Sequence, residues 1–205
     1  MTAPQGPANL PRMGSPVALE IEPATADRWA DVVALFGRRG ACGGCWCMYW
    51  RRSAAEYERG KGRGNRDALR RLVARGATPG LLAYAGGAPV GWCAVAPREA
   101  YPRLERARVL KRIDDRPVWS VVCLFVAKKC RRRGVSVALL EAAAAFAASR
   151  GARILEGYPV EPRGAMPDAF AWTGTAAAFR AAGFREAARG SPTRPIMRRA
   201  LGRGD

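Results

Sequence analysis

The chain has 205 residues, 49% of them hydrophobic and 25% charged, a balance that suits one buried core of ordinary size and excludes a disordered, collagen-like or disulfide-stapled chain. It contains no histidine, which removes Ser-His-Asp and Cys-His nucleophilic machinery, the HExxH zinc site and the histidine proton shuttle. Thirty-five basic against 17 acidic side chains leave a formal charge of +18, carried by 31 Arg and four Lys, so the surface attracts polyanions such as nucleic acid, a membrane or a phosphate-bearing cofactor.

Residues 1–16 hold four prolines among Gly, Ala, Gln and Asn without a period, the composition of a loose leader before a domain at 17–202 and a short tail at 203–205. Residues 17–21 alternate like a strand, and Trp29, Val32, Val33, Leu35 and Phe36 follow at helical spacing. A loop rich in Cys and aromatics at 40–50 leads to two helices, 53–59 and 65–75, split by Gly60-Lys-Gly-Arg-Gly64. Those glycines follow a helix instead of a strand and lack the closing glycine, so they are not a dinucleotide fingerprint.

Strands at 81–85 and 90–95 flank Gly86-Gly87-Ala88-Pro89, a hairpin signal, and 97–117 is an irregular charged connection. The nearly uninterrupted apolar run 118–126 predicts the central strand of a sheet. A basic turn at 128–133 precedes a helix at 135–150, on which Leu139, Leu140, Ala143, Phe146 and Ala147 share a face before Gly151 stops it. A strand at 153–159, a proline-containing loop to 171, a short helix at 175–182 ended by Gly183, and strands at 184–188 and 195–201 complete an α/β chain.

Six unevenly spaced cysteines and no signal peptide point to a reduced, cytoplasmic setting. The longest apolar stretch, 135–148, is broken by Glu141 and too short to span a bilayer, so no membrane role is expected. Cys42-Gly-Gly-Cys45-Trp-Cys47 has thiolate spacing for zinc, but no second CxxC completes a site; small buried apolar groups are the reading adopted, with no metal. Cys93 and Cys123 read as core.

The informative unit is Leu124-Phe125-Val126-Ala-Lys-Lys-Cys-Arg131-Arg132-Arg133-Gly134-Val135-Ser136-Val137: a buried strand, a basic turn with glycine, and a helix start. Such a turn aims backbone N–H groups and the positive end of a helix dipole at one point, which suits phosphate. It resembles the GNAT superfamily of N-acetyltransferases, whose signature is [Gln/Arg]-x-x-Gly-x-[Gly/Ala]; Arg131 and Gly134 match and Ser136 departs at the last position. A second stretch, Thr175-Ala-Ala-Ala-Phe179-Arg-Ala-Ala-Gly183-Phe184, resembles the family's second cofactor motif, with Phe179 where a general-acid tyrosine is usual and Trp172 where asparagine is common.

The resemblance covers about residues 17–201 and implies a mixed, mostly antiparallel twisted sheet flanked by helices, with splayed central strands. It implies acetyl-CoA as acyl donor, its pyrophosphate on the amides of Arg131, Arg132, Arg133, Gly134, Val135, Ser136 and Val137. The pantetheine arm falls along Leu124, Phe125 and Val126, with Phe179 beside the thiolate and Trp46, Tyr49 and Trp50 walling the acceptor. Many relatives carry a glutamate base on the central strand, but here that strand's one polar side chain outside its tryptophan and cysteine is Ser120. Glu156, acting through water, with Tyr158 as polar partner, is the candidate base, against the alternative that Glu156 merely pairs with an arginine and Tyr158 packs.

Gly134-Val-Ser136-Val-Ala138 is one residue short of a nucleophile elbow and has no histidine to serve it. The leading expectation is an N-acetyltransferase acting on a primary amine of a small molecule, with a homodimer left open as in many relatives. Two competitors stand beside it: an acyl-CoA-binding sensor without turnover, suggested by Phe179, and a basic nucleic-acid-binding domain, suggested by the charge.

Overall fold

Alternation and β-branching along the predicted strands end in one seven-stranded sheet, ordered β1-β2-β3-β4-β5-β7-β6. The structure is a computed structural model that describes residues 18–164, 166–167 and 170–202; the expected leader and the 203–205 tail lie outside them. The strands are β1 (Leu19–Pro23), β2 (Gly80–Ala85), β3 (Ala88–Pro97), β4 (Trp119–Val126), β5 (Ile154–Gly157), β6 (Arg185–Ser191) and β7 (Arg194–Ala200). The helices are α1 (Trp29–Phe36), α2 (Ala54–Arg59), α3 (Arg63–Ala74), α4 (Pro102–Glu105), α5 (Val135–Ser149) and α6 (Ala176–Ala181).

Residue chemistry explains most boundaries. Ser53 caps α2 by accepting from the Glu56 amide while Glu56 reaches back to the Ser53 N–H, a capping box. β2 and β3 meet at Ala85↔Ala88 across Gly86 and Gly87, both at positive φ, the conformation that a two-residue hairpin matched to strand twist requires. The connection expected to be irregular holds short α4, with Pro102 at its first position, where a missing N–H costs nothing.

All pairings are antiparallel except β4 with β5, which α5 connects. That parallel ladder runs only from Trp119↔Leu155 to Val121↔Gly157. β5 then stops while β4 continues to Val126, so the two strands part as expected. At the parting, β4 carries an extra residue: Ala94 pairs with Cys123 and Val95 with Val121, leaving Val122 as a bulge.

The sheet separates two cores. Leu139, Leu140, Ala143 and Ala147 of α5, with Phe179 of α6, pack one face, and Trp92, Val122, Leu69, Phe36 and Tyr101 belong to the other. Alanines along α5 let it lie close to the strands, and Phe146 meets Trp119 edge-on at 5.9 Å.

Carboxylates at the surface are claimed by the arginine excess. Bonds from Arg198, then Arg116, hold Asp114 far below its usual range; Arg180 and Arg189 lower Glu161, and Arg189 lowers Glu186. A depressed carboxylate contributes stability that is complete above its ordinary value, 3.8 for Asp or 4.5 for Glu, and is lost as pH falls through the lowered one. The melting temperature is therefore expected to hold through mildly acid pH and drop below about pH 4. Asp114→Asn is expected to shrink that drop in a calorimetric pH series.

Candidate active site

The site begins where β4 outruns β5. Ala127 N–H bonds the Val90 carbonyl at 2.9 Å, so β4 turns that edge to β3 at every second residue, and the peptide groups of Leu124 and Val126 face the other way. Those two edges are partly taken: the Leu124 N–H donates to the Trp172 carbonyl at 2.7 Å, and the Val126 carbonyl accepts from Arg131 Nε at 3.1 Å. Of the strand edge along which the pantetheine arm was expected to fall, the Leu124 N–H is therefore already bonded within the chain. The chain stretch before α6 lies in the parting and supplies its own acceptor.

Past Val126 the chain makes a short 3-10 turn, Lys128–Cys130, and reaches Gly134, which caps α5 at φ 78°. A Cβ there would meet nothing within 4 Å, so the demand for glycine is conformational and not spatial. Val137 and Ala138 N–H both bond the Gly134 carbonyl, at 3.0 and 3.1 Å. The Val137 amide is thus spent inside the helix, and among the described residues the amides of Val135 and Ser136 remain as first-turn donors without a partner. They border a cavity of about 240 Å³ lined also by Val126, Arg131, Arg132 and Ala178.

Arg133 does not line this cavity, and its buried Nη2 has no hydrogen-bond partner among the described residues. Phe179 does not line it either. Its ring is fully buried, 4.9 Å from Phe184, and a Cβ on Gly157 would lie 2.0 Å from it. Ala178, one position earlier, lines the opening instead, because the Phe179 ring is part of the core.

The cavity leads into a groove of about 310 Å³ along Leu124, Phe125 and Val126, roofed by Ala171, Trp172, Gly174 and Thr175. The groove shares Leu124, Phe125, Cys42 and Trp172 with a third space of about 360 Å³ whose walls include Tyr49, Trp50, Tyr57, Cys45, Cys47 and Cys123. Tyr49 and Trp50, expected to wall the acceptor, both line this space. Trp46, expected beside them, does not line this space: it is buried against Trp29 and Phe36, with Arg66 over its ring.

Sequence reasoning missed Tyr57, Phe170, Trp172 and Cys123 as wall residues. Tyr57 was visible as a lone aromatic on a short capped helix. Cys123 had no signal, because the bulge at Val122 turns it out of the regular alternation and onto the chamber wall.

The chamber wall carries no carboxylate among the described residues; its titratable groups are thiols and phenols. Cys47 Sγ accepts from Trp92 Nε1 at 3.1 Å, and the Cys123 thiol, then Trp92 and Arg51, hold Cys47 below the usual thiol range. The same contact and burial raise Cys123 well above it. Burial pushes Tyr57 up to about 12. Trp46 and Cys47 both sit at positive φ, an uncommon conformation for such side chains that the surrounding packing must hold in place.

Glu156, Tyr158 and Ser120 are brought together, but below the groove and not on its walls. Glu156 Oε1 accepts from Arg98 Nη1 at 3.0 Å and from the Tyr158 hydroxyl at 2.6 Å, while Oε2 accepts from Arg198 Nε at 2.6 Å. Ser120 Oγ lies 2.9 Å from the Tyr158 oxygen, and burial, then the adjacent carboxylate, push that phenol far above its usual value. Glu156 is 1% exposed. Both of its oxygens are committed to fixed donors, so the arginine-paired arrangement replaces the water-linked base expected from the sequence.

A glycine-capped helix mouth, a strand-edge groove and an aromatic chamber lie side by side and share lining residues. The model of the Acetyltransferase (GNAT) family matches residues 46–162. The chain belongs to the GNAT acetyltransferase family and is an acyltransferase.

Its fold is similar to that of a GNAT-family acetyltransferase from Streptococcus pneumoniae, with 17% identity, TM-score 0.54, and coverage of 90% of this chain and 100% of that one. It is also similar to the PaiA N-acetyltransferase of Thermoplasma acidophilum, solved in complex with coenzyme A, with 14% identity, TM-score 0.51, and coverage of 90% and 99%. A GNAT-family acetyltransferase from Streptococcus agalactiae gives 12% identity, TM-score 0.54, and coverage of 90% and 96%. No curated protein matches the sequence.

Proposed function

We propose that the chain moves the acetyl group of acetyl-CoA to a primary amine of a small molecule. The observation that carries this reading is the continuity of three spaces, from the glycine-capped mouth of α5, along the edge of β4, into the aromatic chamber. The residues present fit such a donor: two unspent amides with the α5 dipole and basic side chains suit a diphosphate, and a narrow groove with peptide groups on one wall suits an amide-bearing arm. Bound acetyl-CoA supplies an activated thioester carbonyl.

The chain's own residues do the rest. Val135 and Ser136 amides, with Arg131 and Arg132 around them, hold the anionic end. Aromatic faces of Tyr49, Trp50, Tyr57 and Trp172 attract an ammonium and exclude water from around it. That ammonium must give up a proton before its nitrogen attacks a carbonyl. Cys47, whose sulfur accepts from Trp92 Nε1 at 3.1 Å and whose neighbours favour its charged form, is the proton acceptor this reading assigns. Glu156, Tyr158 and Ser120 serve as positioning residues, clamping β4 to β5 at the point where the groove opens.

Among the described residues no helix is long and apolar enough to cross a membrane. The six described cysteines are all free, which suits a reducing cytoplasm.

The test is a thiol-release screen with acetyl-CoA over amino acids, aminoglycosides, polyamines and peptides. Amine-dependent release of coenzyme A is the expected result. A folded protein that binds no acetyl-CoA by calorimetry overturns the reading.

A further inference from the structure

We infer that the acceptor carries an anionic group beside its amine, a carboxylate or a phosphate, and that a separate arginine-lined cavity between α2 and α4 receives it. This inference rests on the amine-acetylation reading above and adds the substrate class.

The cavity measures about 560 Å³ and shares Tyr49 and Trp50 with the aromatic chamber, so the two spaces meet across one aromatic partition. Arg51, Arg52, Arg103 and Arg106 line it. Three arginines elsewhere in the molecule, Arg98, Arg189 and Arg198, each have two carboxylate partners. Among the described residues none of the four cavity arginines has one.

Three of the four are nevertheless held in place by neutral groups. Arg103 stacks 3.8 Å from the Tyr49 ring centroid, Arg51 lies over Tyr101 at 4.6 Å, and Arg52 Nη1 donates to Asn65 Oδ1 at 2.9 Å. Arg106 is exposed at the rim. The single acid on the wall, Glu56, is turned to its own helix start, its Oε2 accepting from Ser53 N–H at 3.0 Å and from Ser53 Oγ at 2.6 Å. Guanidinium groups fixed by stacking, with donors left over and a net positive surplus, are matched to a planar or tetrahedral oxyanion.

The neighbouring chamber offers the opposite chemistry. Its walls are aromatic and sulfur-bearing and hold no fixed charge pair, so they accept the amine end and the apolar part of a small molecule. An amine with an anion a few bonds away satisfies both spaces at once. A simple alkyl amine or a polyamine leaves four arginines unanswered or repelled.

The experiment titrates matched pairs by calorimetry, with and without saturating coenzyme A: L-methionine against L-methioninamide, and O-phosphoethanolamine against ethanolamine. In at least one pair the anionic member is expected to bind tenfold or more tightly than its neutral partner. The pair that responds separates a carboxylate from a phosphate ligand. Arg106→Gln and Arg103→Gln are each expected to reduce that ratio at least threefold. Arg185→Gln, which removes the same charge from exposed β6, is expected to leave it unchanged.

Equal binding of both members in every pair overturns the inference. So does a ratio that survives both cavity substitutions, or one that falls equally in Arg185→Gln, since that marks the general field of a basic protein. Anion preference seen without coenzyme A, in a protein that fails to bind coenzyme A, upholds the cavity and sinks the acetyl-transfer reading instead.

Discussion

Glu156→Ala is expected to destabilise the folded chain by about 3–5 kcal/mol, the usual cost of removing one partner from a buried ion pair. The loss is that large because two guanidinium groups lose their counter-charge together: Arg98, whose side chain is wholly buried, and Arg198, at 10% exposure. Arg98 retains Glu105 at 2.9 Å and the Leu110 carbonyl at 2.8 Å, and Arg198 retains Asp114, so the substitution weakens the network without dissolving it. Tyr158 loses the acceptor of its hydroxyl proton as well. Against a total stability of about 5–15 kcal/mol, this takes a large share. Urea denaturation checks it, as a midpoint shift with unchanged slope. Glu156→Gln keeps the shape and an acceptor oxygen, and its folded fraction is expected to retain acetyl transfer. A folded Glu156→Gln protein with turnover reduced a hundredfold would restore Glu156 to the chemistry.

The second large effect is expected at Gly134. Gly134→Val places a β-branched side chain at φ 78°, where left-handed backbone costs an ordinary residue about 1–2 kcal/mol and a branched one more. Nothing crowds the position, so the turn relaxes instead of clashing, and relaxation swings the Val135 and Ser136 amides off their common point. Acetyl-CoA affinity is expected to fall about tenfold or more, since each 1.4 kcal/mol needed to restore the binding geometry is a factor of ten. The distinguishing readout is calorimetric affinity for acetyl-CoA beside a thermal melt. Undiminished affinity in a protein of normal melting temperature would show that the helix mouth does not hold the diphosphate. Gly134→Ala, strained less, is expected to lie between the two.

The parts of the fold that were legible in the chain are those with local causes. The 118–126 apolar run is a central strand because only a strand covered on both faces tolerates it. Gly86-Gly87 is a hairpin because two left-handed residues in succession match the strand twist. The turn before α5 was legible for the same reason, as were Tyr49 and Trp50 by resemblance to a family. Arg98 was not legible, since a lone arginine in a charged connection gives no sign that it will be among the largest fully buried side chains. Its burial depends on Glu156 and Tyr158, which lie 58 and 60 residues away in the chain. Phe179 and Trp46 were misassigned for a related reason. An aromatic side chain serves a cavity or a core equally well, and only its neighbours decide which.

The chain by itself determined the strand and helix order, the phosphate-suited turn and the exclusion of histidine chemistry, because each follows from residue type and near spacing. Only the tertiary structure decided which carboxylate is locked between arginines, which amide of β4 the chain spends on Trp172, and which thiols wall the chamber. Those depend on a bulge, a parting of two strands and pairings between distant residues, where the energy of a contact is set by what the rest of the fold brings to it.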